Sequence, residues 1–208
     1  MVRLQGKFAE AATLHAQTLE IMQRVLGAEH PNTLTSMNNL ASAYSSQGKH
    51  VEAVALLTQT LEFQKRVLGA EHPGTLASMI ELGRVLLDQQ KFSDAGSVLR
   101  EALVIREKKL PDEWQTFNTR SLLGGALAGQ KKFVEAEPLL VSGYEGMKQR
   151  EAKMLATVKV RLKEALERLV RLYTDLSQPE KAAVWQQKLE QWIQVEAKNK
   201  AAGSLNPK

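Results

Sequence analysis

The residues best able to bind a metal or move a proton are four histidines, and their spacing does not bring them together. His30 and His72 stand one repeat apart, each directly before a proline, while His15 and His50 share no ligand spacing with them. A histidine in a Pro-bounded turn is expected to hydrogen-bond a neighbouring helix end. There is no cysteine, which removes disulfides, a thiolate nucleophile and any Cys-containing zinc site. The carboxylates are dispersed along charged stretches, and no Ser-His-Asp set follows from their order. Gly124, Gly125 and Gly129 hint at a phosphate loop. Leu127 and Ala128 lie between them in a helical pattern and no Lys-Ser/Thr follows, so close helix packing is the better reading. Trp114, Trp185 and Trp192 fall at amphipathic spacing, which favours packing between helices over exposed binding anchors. No catalytic, metal or cofactor residue is assigned, and the chain reads as a non-enzyme.

What remains is composition and pattern. Hydrophobic residues make up 43% and charged ones 25% of the 208 residues, enough apolar surface for a packed core. Abundant Ala, Leu, Glu, Gln and Lys favour helix, because unbranched side chains keep most of their rotamer freedom there. No apolar run reaches the ~20 residues of a membrane span and no apolar signal segment opens the chain; the expectation is a soluble, cytoplasmic protein without membrane contact. The net charge of +5 is uneven. Residues 147–208 hold 13 Lys and Arg against 7 Asp and Glu, and the remainder holds 15 against 16. A basic end can attract nucleic acid. Here Lys159, Arg161, Lys163, Arg168 and Arg171 alternate with Glu164, Glu167 and Asp175, a mixture that marks a solvated helix face instead.

Internal repetition organises everything else. LGAEHP begins at Leu26 and again at Leu68, each copy preceded by Arg-Val, and one further step of 42 reaches Leu110-Pro111. A second marker keeps the same step: GKFAEA from Gly6, GKHVEA from Gly48, QKFSDA from Gln90 and KKFVEA from Lys131, with a weaker fifth instance at Gln178–Ala182. Between markers the apolar residues fall at helical spacing, as in Leu40, Ala43, Tyr44 and Leu56, Leu57, Leu61. Each unit is therefore two helices. Gly6 and Gly48 are expected to end the first helix of a unit, and Gly27 and Gly69 the second. Pro31 and Pro73 stop its continuation, and Thr33 and Thr75 are placed to cap the helix that follows.

Leu40, Ala41, Tyr44, Ala53, Leu57 and their counterparts Leu82, Gly83, Leu86, Ala95, Leu99 and Leu123, Gly124, Leu127, Ala136, Leu140 resemble the tetratricopeptide repeat. The 42-residue length and the G-x-E/D-H-P turn are similar to kinesin-light-chain repeats. Residues 111–189 resemble the last repeats in carboxy-terminal regions of certain bacterial serine/threonine kinases, although no kinase motif is present. The resemblance implies an all-α fold, a right-handed superhelical solenoid of antiparallel helix pairs. The expected divisions are an incomplete first repeat at 1–31 that holds only a second helix, repeats at 32–73, 74–114 and 115–154, a capping helix pair at 155–199 and a flexible tail at 200–208.

The resemblance also implies a function: the first helices of successive units line a groove that holds an extended or helical peptide. By position, that groove is lined by Thr35, Asn38, Asn39, Ser42 and Ser46, then by Ala77, Ile80, Glu81, Arg84 and Asp88, then by Asn118, Ser121, Leu122 and Gly125. Asn38 and Asn39 matter most, since an amide can donate to and accept from any peptide backbone. Glu81 and Leu122 stand where a repeated asparagine clamp would continue. At the other extreme, Phe8, Ala12, Leu19 and Ile21 on the first helix lack part of their cover, and the expectation is that the chain is either a piece of a longer protein or covers that face by forming a homodimer. No cofactor is expected, and nucleic acid is the less favoured partner.

Overall fold

The computed structural model describes the backbone of residues 2–204 and the side chains of residues 9–199. Among these, all regular structure is helical: α1 (Val2–Leu26), α2 (Pro31–Ser46), α3 (His50–Val67), α4 (Pro73–Asp88), α5 (Phe92–Lys109), α6 (Trp114–Gly129), α7 (Phe133–Gln149), α8 (Val160–Asp175) and α9 (Pro179–Ser204). Two short 3-10 turns, Glu151–Lys153 and Ala156–Val158, precede α8. The chain divides into two compact units, Met1–Lys108 and Lys109–Lys208. In the first, α1, α2, α3 and α4 each pack against the next; in the second, α6, α7, α8 and α9 do the same. This is the all-α, solenoid-type helix pairing that the repeat implied.

Four turns join the first helix of a pair to the second, and all four use one geometry. Gly48, Gln90, Lys131 and Ser177 have φ of 76°, 58°, 62° and 55°. At each, two successive N–H groups fold back on the helix: Gly48 and Lys49 donate to the Ser45 and Tyr44 carbonyls at 2.9 Å each, and Ser177 and Gln178 donate to Thr174 and Tyr173 at 2.9 Å each. These bonds satisfy the last carbonyls, which the helix itself leaves unpaired. The weak fifth sequence marker, Gln178–Ala182, is thus a true turn, and the 46-residue step from Lys131 to Ser177 absorbs the two 3-10 turns.

The turn that follows a second helix is built differently. Gly27 and Gly69 have φ of 91° and 89°, as the capping role required. The helices that follow are capped by His30 and His72, not by threonine: each Nδ1 accepts a backbone N–H two residues on, from Asn32 at 3.2 Å and Gly74 at 3.1 Å, with proline in the first turn. Thr33 and Thr75 instead point inward. Each is fully buried and donates its hydroxyl to the carbonyl of the preceding glycine, Gly27 or Gly69, at 2.8 Å. Thr116 repeats the clamp on Leu110 at 2.6 Å, where the LGAEHP letters are gone.

Gly6 does not form the turn expected of it, because α1 runs through it without a break. Ala12 and Leu19 are also covered, at 5% and 7% exposure, by the Leu34, Met37 and Leu40 cluster; the Phe8 side chain lies outside the described residues. Of the expected capping pair at 155–199, helix α8 begins only at Val160, and α9 continues to Ser204, carried by the strong helix formers Ala201 and Ala202. Residues 205–208 of the expected tail lie outside the described residues.

Candidate binding face

The expected groove residues divide between the two units. In the first, Thr35, Asn39, Ser42 and Ser46 step along α2 at intervals of four, three and four, and Ala77, Glu81, Arg84 and Asp88 repeat those intervals on α4. Such spacing keeps four side chains on one helix face. All four on α2 are exposed; on α4, Ala77 and Asp88 are exposed and Glu81 and Arg84 half-buried. The hydroxyls of Thr35 and Ser46 donate to Pro31 and Ser42 carbonyls at 3.0 and 2.9 Å, so each oxygen faces outward as an acceptor.

Arg84 is held by its own helix. Its Nε donates to Glu81 at 3.0 Å and a terminal nitrogen to Asp88 at 3.1 Å; the other terminal nitrogen bonds Glu81 and reaches Ser45 Oγ on α2 at 3.2 Å. One guanidinium set between two carboxylates leaves the stripe with a net charge of −1. Asn38 faces α4 rather than outward, donating to Ser78 Oγ at 2.7 Å and accepting from it at 3.0 Å. Ile80, in the equivalent register on α4, is half-buried. Of the two asparagines, only Asn39 is exposed. Ser45 and Ser78, which fix Arg84 and Asn38, had no signal of their own; only the helix register places them between α2 and α4.

The third set is corrected by the second unit. Asn118, Ser121 and Leu122 on α6 are 5%, 0% and 1% exposed, and none can touch a ligand. Helix α8 closes this face with Arg168: its guanidinium donates to Ser121 Oγ at 3.3 Å, and a methyl placed on Gly125 would stand 3.0 Å from its Cδ. Leu122 is core because Leu and Gly replace the polar residues of α2 at those positions.

Elsewhere in this unit, a cleft of about 340 Å³ lies between α7 and α9, lined by Tyr144, Lys148, Glu151, Lys188, Trp192 and Val195 among others. Trp185 is buried against Tyr144, edge to face at 5.5 Å, with the Lys188 ammonium 4.0 Å from its ring. Trp185 is therefore a packing residue, while Trp114 and Trp192 are half-buried. Burial raises the Tyr144 phenol above its usual range. Tyr173 is pushed up to about 12, first by burial and then by the hydrogen bond its hydroxyl donates to Glu137 at 2.7 Å.

The five basic residues singled out in the last third each lie beside a carboxylate. Arg161 and Arg168 bridge Glu164 at 2.8 and 3.5 Å, Lys163 bridges Glu167 at 2.6 Å, Arg171 bridges Asp175 at 3.8 Å, and Lys159 approaches Glu151 at 4.0 Å. Among the described residues no group of three or more His, Asp or Glu is placed to hold a metal, and no helix is long and apolar enough to cross a membrane.

Comparisons with known proteins agree with this architecture. The Tetratricopeptide repeat model matches residues 1–66 and 47–108. A solved structure of a Podosopora anserina protein with nearly identical TPR-like repeats, described under kinesin light chain, shares 28% identity at a TM-score of 0.72 and covers 95% of this chain and 92% of its own. BtubC (BKLC) from P. vanneervenii aligns at 15% identity and a TM-score of 0.72 over 94% of this chain and 76% of its own. No curated protein matches. With helix pairs that repeat every 41 to 46 residues and a family match over more than half its length, the chain belongs to the tetratricopeptide-repeat family.

Proposed function

We propose that the chain is a non-enzymatic scaffold that binds a peptide or protein partner along the α2 and α4 face of its first unit. The single observation behind this is the polar stripe of Thr35, Asn39, Ser42 and Ser46 beside Ala77, Glu81, Arg84 and Asp88, open on one side and repeated in register. Hydroxyl and amide groups there suit the backbone of an extended or helical segment, and the small Ala77 leaves room for a side chain. The net charge of −1 around Arg84 favours a ligand that brings a lysine or arginine. The face requires no cofactor.

The test is capture of partners from native lysate on the immobilised chain, followed by titration of the captured partner's binding segment. Asn39→Ala and Asp88→Lys, both at exposed positions, should weaken binding about tenfold each, while Asn118→Ala, in the closed face of the second unit, should leave it unchanged. Equal affinity for all three would remove the assignment.

The finer reading is that this scaffold is the docking or regulatory arm of a bacterial serine/threonine kinase. It rests on the likeness of residues 111–189 to carboxy-terminal repeats of such kinases. A kinase catalytic domain encoded in frame with the chain supports it, and a separate transcript without one opposes it.

A further inference from the structure

The cleft between α7 and α9 holds a lysine without a carboxylate partner. Lys188 is half-buried on α9, its ammonium 4.0 Å from the Trp185 ring centre and 5.8 Å from that of Tyr144. The rings flank one side of the charge, and it makes no ion pair with another described residue. Lys148 on the opposite wall differs, being neutralised by Glu151 at 2.7 Å, a carboxylate that Lys159 also approaches at 4.0 Å. The cleft lies between neighbouring helices and not on an outer face. By the 46-residue step, its α9 residues Lys188 and Trp192 correspond to Ser142 and Gly146 on α7. The α9 counterparts of Tyr144 and Lys148 are Glu190 and Gln194, and neither lines it.

We propose that this cleft binds a small monocarboxylic acid with an unbranched apolar tail, its carboxylate on the Lys188 ammonium and its tail along Trp192 and Val195. Trp192 is half-buried and Val195 is 55% exposed, so together they form an apolar wall open on one side. Glu196 marks the far end of that wall, eight residues from Lys188 and therefore about 12 Å along the helix, and it too makes no ion pair with another described residue. Charge then defines the ligand at both ends. One ammonium, with no arginine in the lining, suits a single negative charge better than a phosphate dianion, which takes more donors. Glu196 rejects a second carboxylate at the end of the tail.

The volume of about 340 Å³ is at the lower end of the range for ligand pockets. One ion pair and one open apolar wall place the dissociation constant on the order of 1 mM. The proposal draws nothing from the α2 and α4 face of the first unit, and a chain that loses the acid should still capture its peptide.

Titration of the whole chain with octanoate, from about 0.05 to about 20 mM so as to bracket that constant, should change the tryptophan emission saturably, because Trp185 and Trp192 stand at the cleft. Octanamide, which lacks the charge, and octanedioate, which carries a second one, should each bind about tenfold more weakly. Lys188→Met keeps an apolar stem over Trp185 and removes the ammonium; octanoate should then lose its advantage over octanamide, whereas Lys188→Arg should retain it. Glu196→Gln should bring octanedioate up to the affinity of octanoate. Helical circular dichroism checks each variant, and if Lys188→Met does not fold, the preference for acid over amide in the native chain and the response to Glu196→Gln decide the matter. The absence of a saturable change with octanoate overturns the proposal. So does octanamide binding as tightly as octanoate, or a preference for the acid that survives Lys188→Met.

Discussion

Three residues other than glycine occupy the left-handed region at pair-closing turns: Gln90, Lys131 and Ser177, beside Gly48 in the first copy. A side chain in that conformation costs about 1 kcal/mol, recovered from the two backbone bonds that close each turn. Replacing Gln90 or Lys131 by glycine removes the steric cost and adds unfolded-state freedom, so a net gain of about 0.5 kcal/mol in urea unfolding is expected. Gly48→Ala should lose about 1 kcal/mol by the same reasoning. The buried threonine clamps predict a larger effect. Thr75→Val keeps the shape but leaves the Gly69 carbonyl with only the longer bond from the His72 N–H, at 3.3 Å, and should cost about 1–2 kcal/mol. Gly48 could be read as a turn from its letter alone; Gln90, Lys131 and Ser177 could be placed only by register, since nothing in a glutamine or lysine announces positive φ. The Thr33, Thr75 and Thr116 clamp escaped for a related reason. A threonine near a helix start satisfies the local rule for a cap, and the choice between capping forward and clamping backward depends on a carbonyl six residues away.

At the scale of the helix pair, contact is set by what stands opposite a large side chain. A methyl on Gly83 would lie 2.5 Å from Leu99 Cγ, and one on Gly124 2.7 Å from Leu140 Cγ, whereas Ala41 already accommodates a methyl at the same register beside Leu57. Gly83→Ala should therefore cost about 1–3 kcal/mol, because a leucine tip can move aside. Gly143→Ala should cost more. Its methyl would meet the Ser121 nitrogen at 2.7 Å and the Phe117 carbonyl oxygen at 2.8 Å, and backbone on α6 cannot yield without displacing the helix. Thermal denaturation of both variants checks the order. The tetratricopeptide letters made the pairing legible, since small residues facing leucines recur through the first three copies. They did not reveal that α8 lies over α6, because Arg168 reaches across from a helix whose step of 46 breaks the period.

The Tyr173 to Glu137 bond ties α8 to α7 and gives this pair a signature in alkali. The folded phenol titrates at about 12 against an ordinary value of 10.0. A raised folded value means that the contribution is complete below pH 10, where both states are neutral, and is lost as pH climbs toward 12 and the unfolded chain ionises first. Stability should fall across that window, and Tyr173→Phe should flatten the decline when chemical unfolding is followed at pH 8 and at pH 11.

Across the whole chain, the excess positive charge of residues 147–208 poses the question of nucleic acid most sharply, and side-chain pairing answers it. Five cations acting freely on phosphates would give a salt slope of about −4.5 in log K against log salt. Here Arg161, Lys163, Arg168 and Arg171 each bridge a carboxylate three or four residues away, and Lys159 approaches Glu151. A phosphate must compete with that carboxylate for every one of them, and each cation it displaces exposes an anion beside the nucleic acid. Exposed bridges of this kind are individually weak, so their importance lies in cancelling the local field rather than in holding the helix together. Fluorescence anisotropy against a labelled duplex should therefore show no more than feeble binding, with a slope shallower than about −2. A slope near −4 that collapses on substituting Arg161, Lys163 and Arg171 by alanine would mean that the bridges open readily to phosphate, and the basic third would then be a nucleic-acid surface after all.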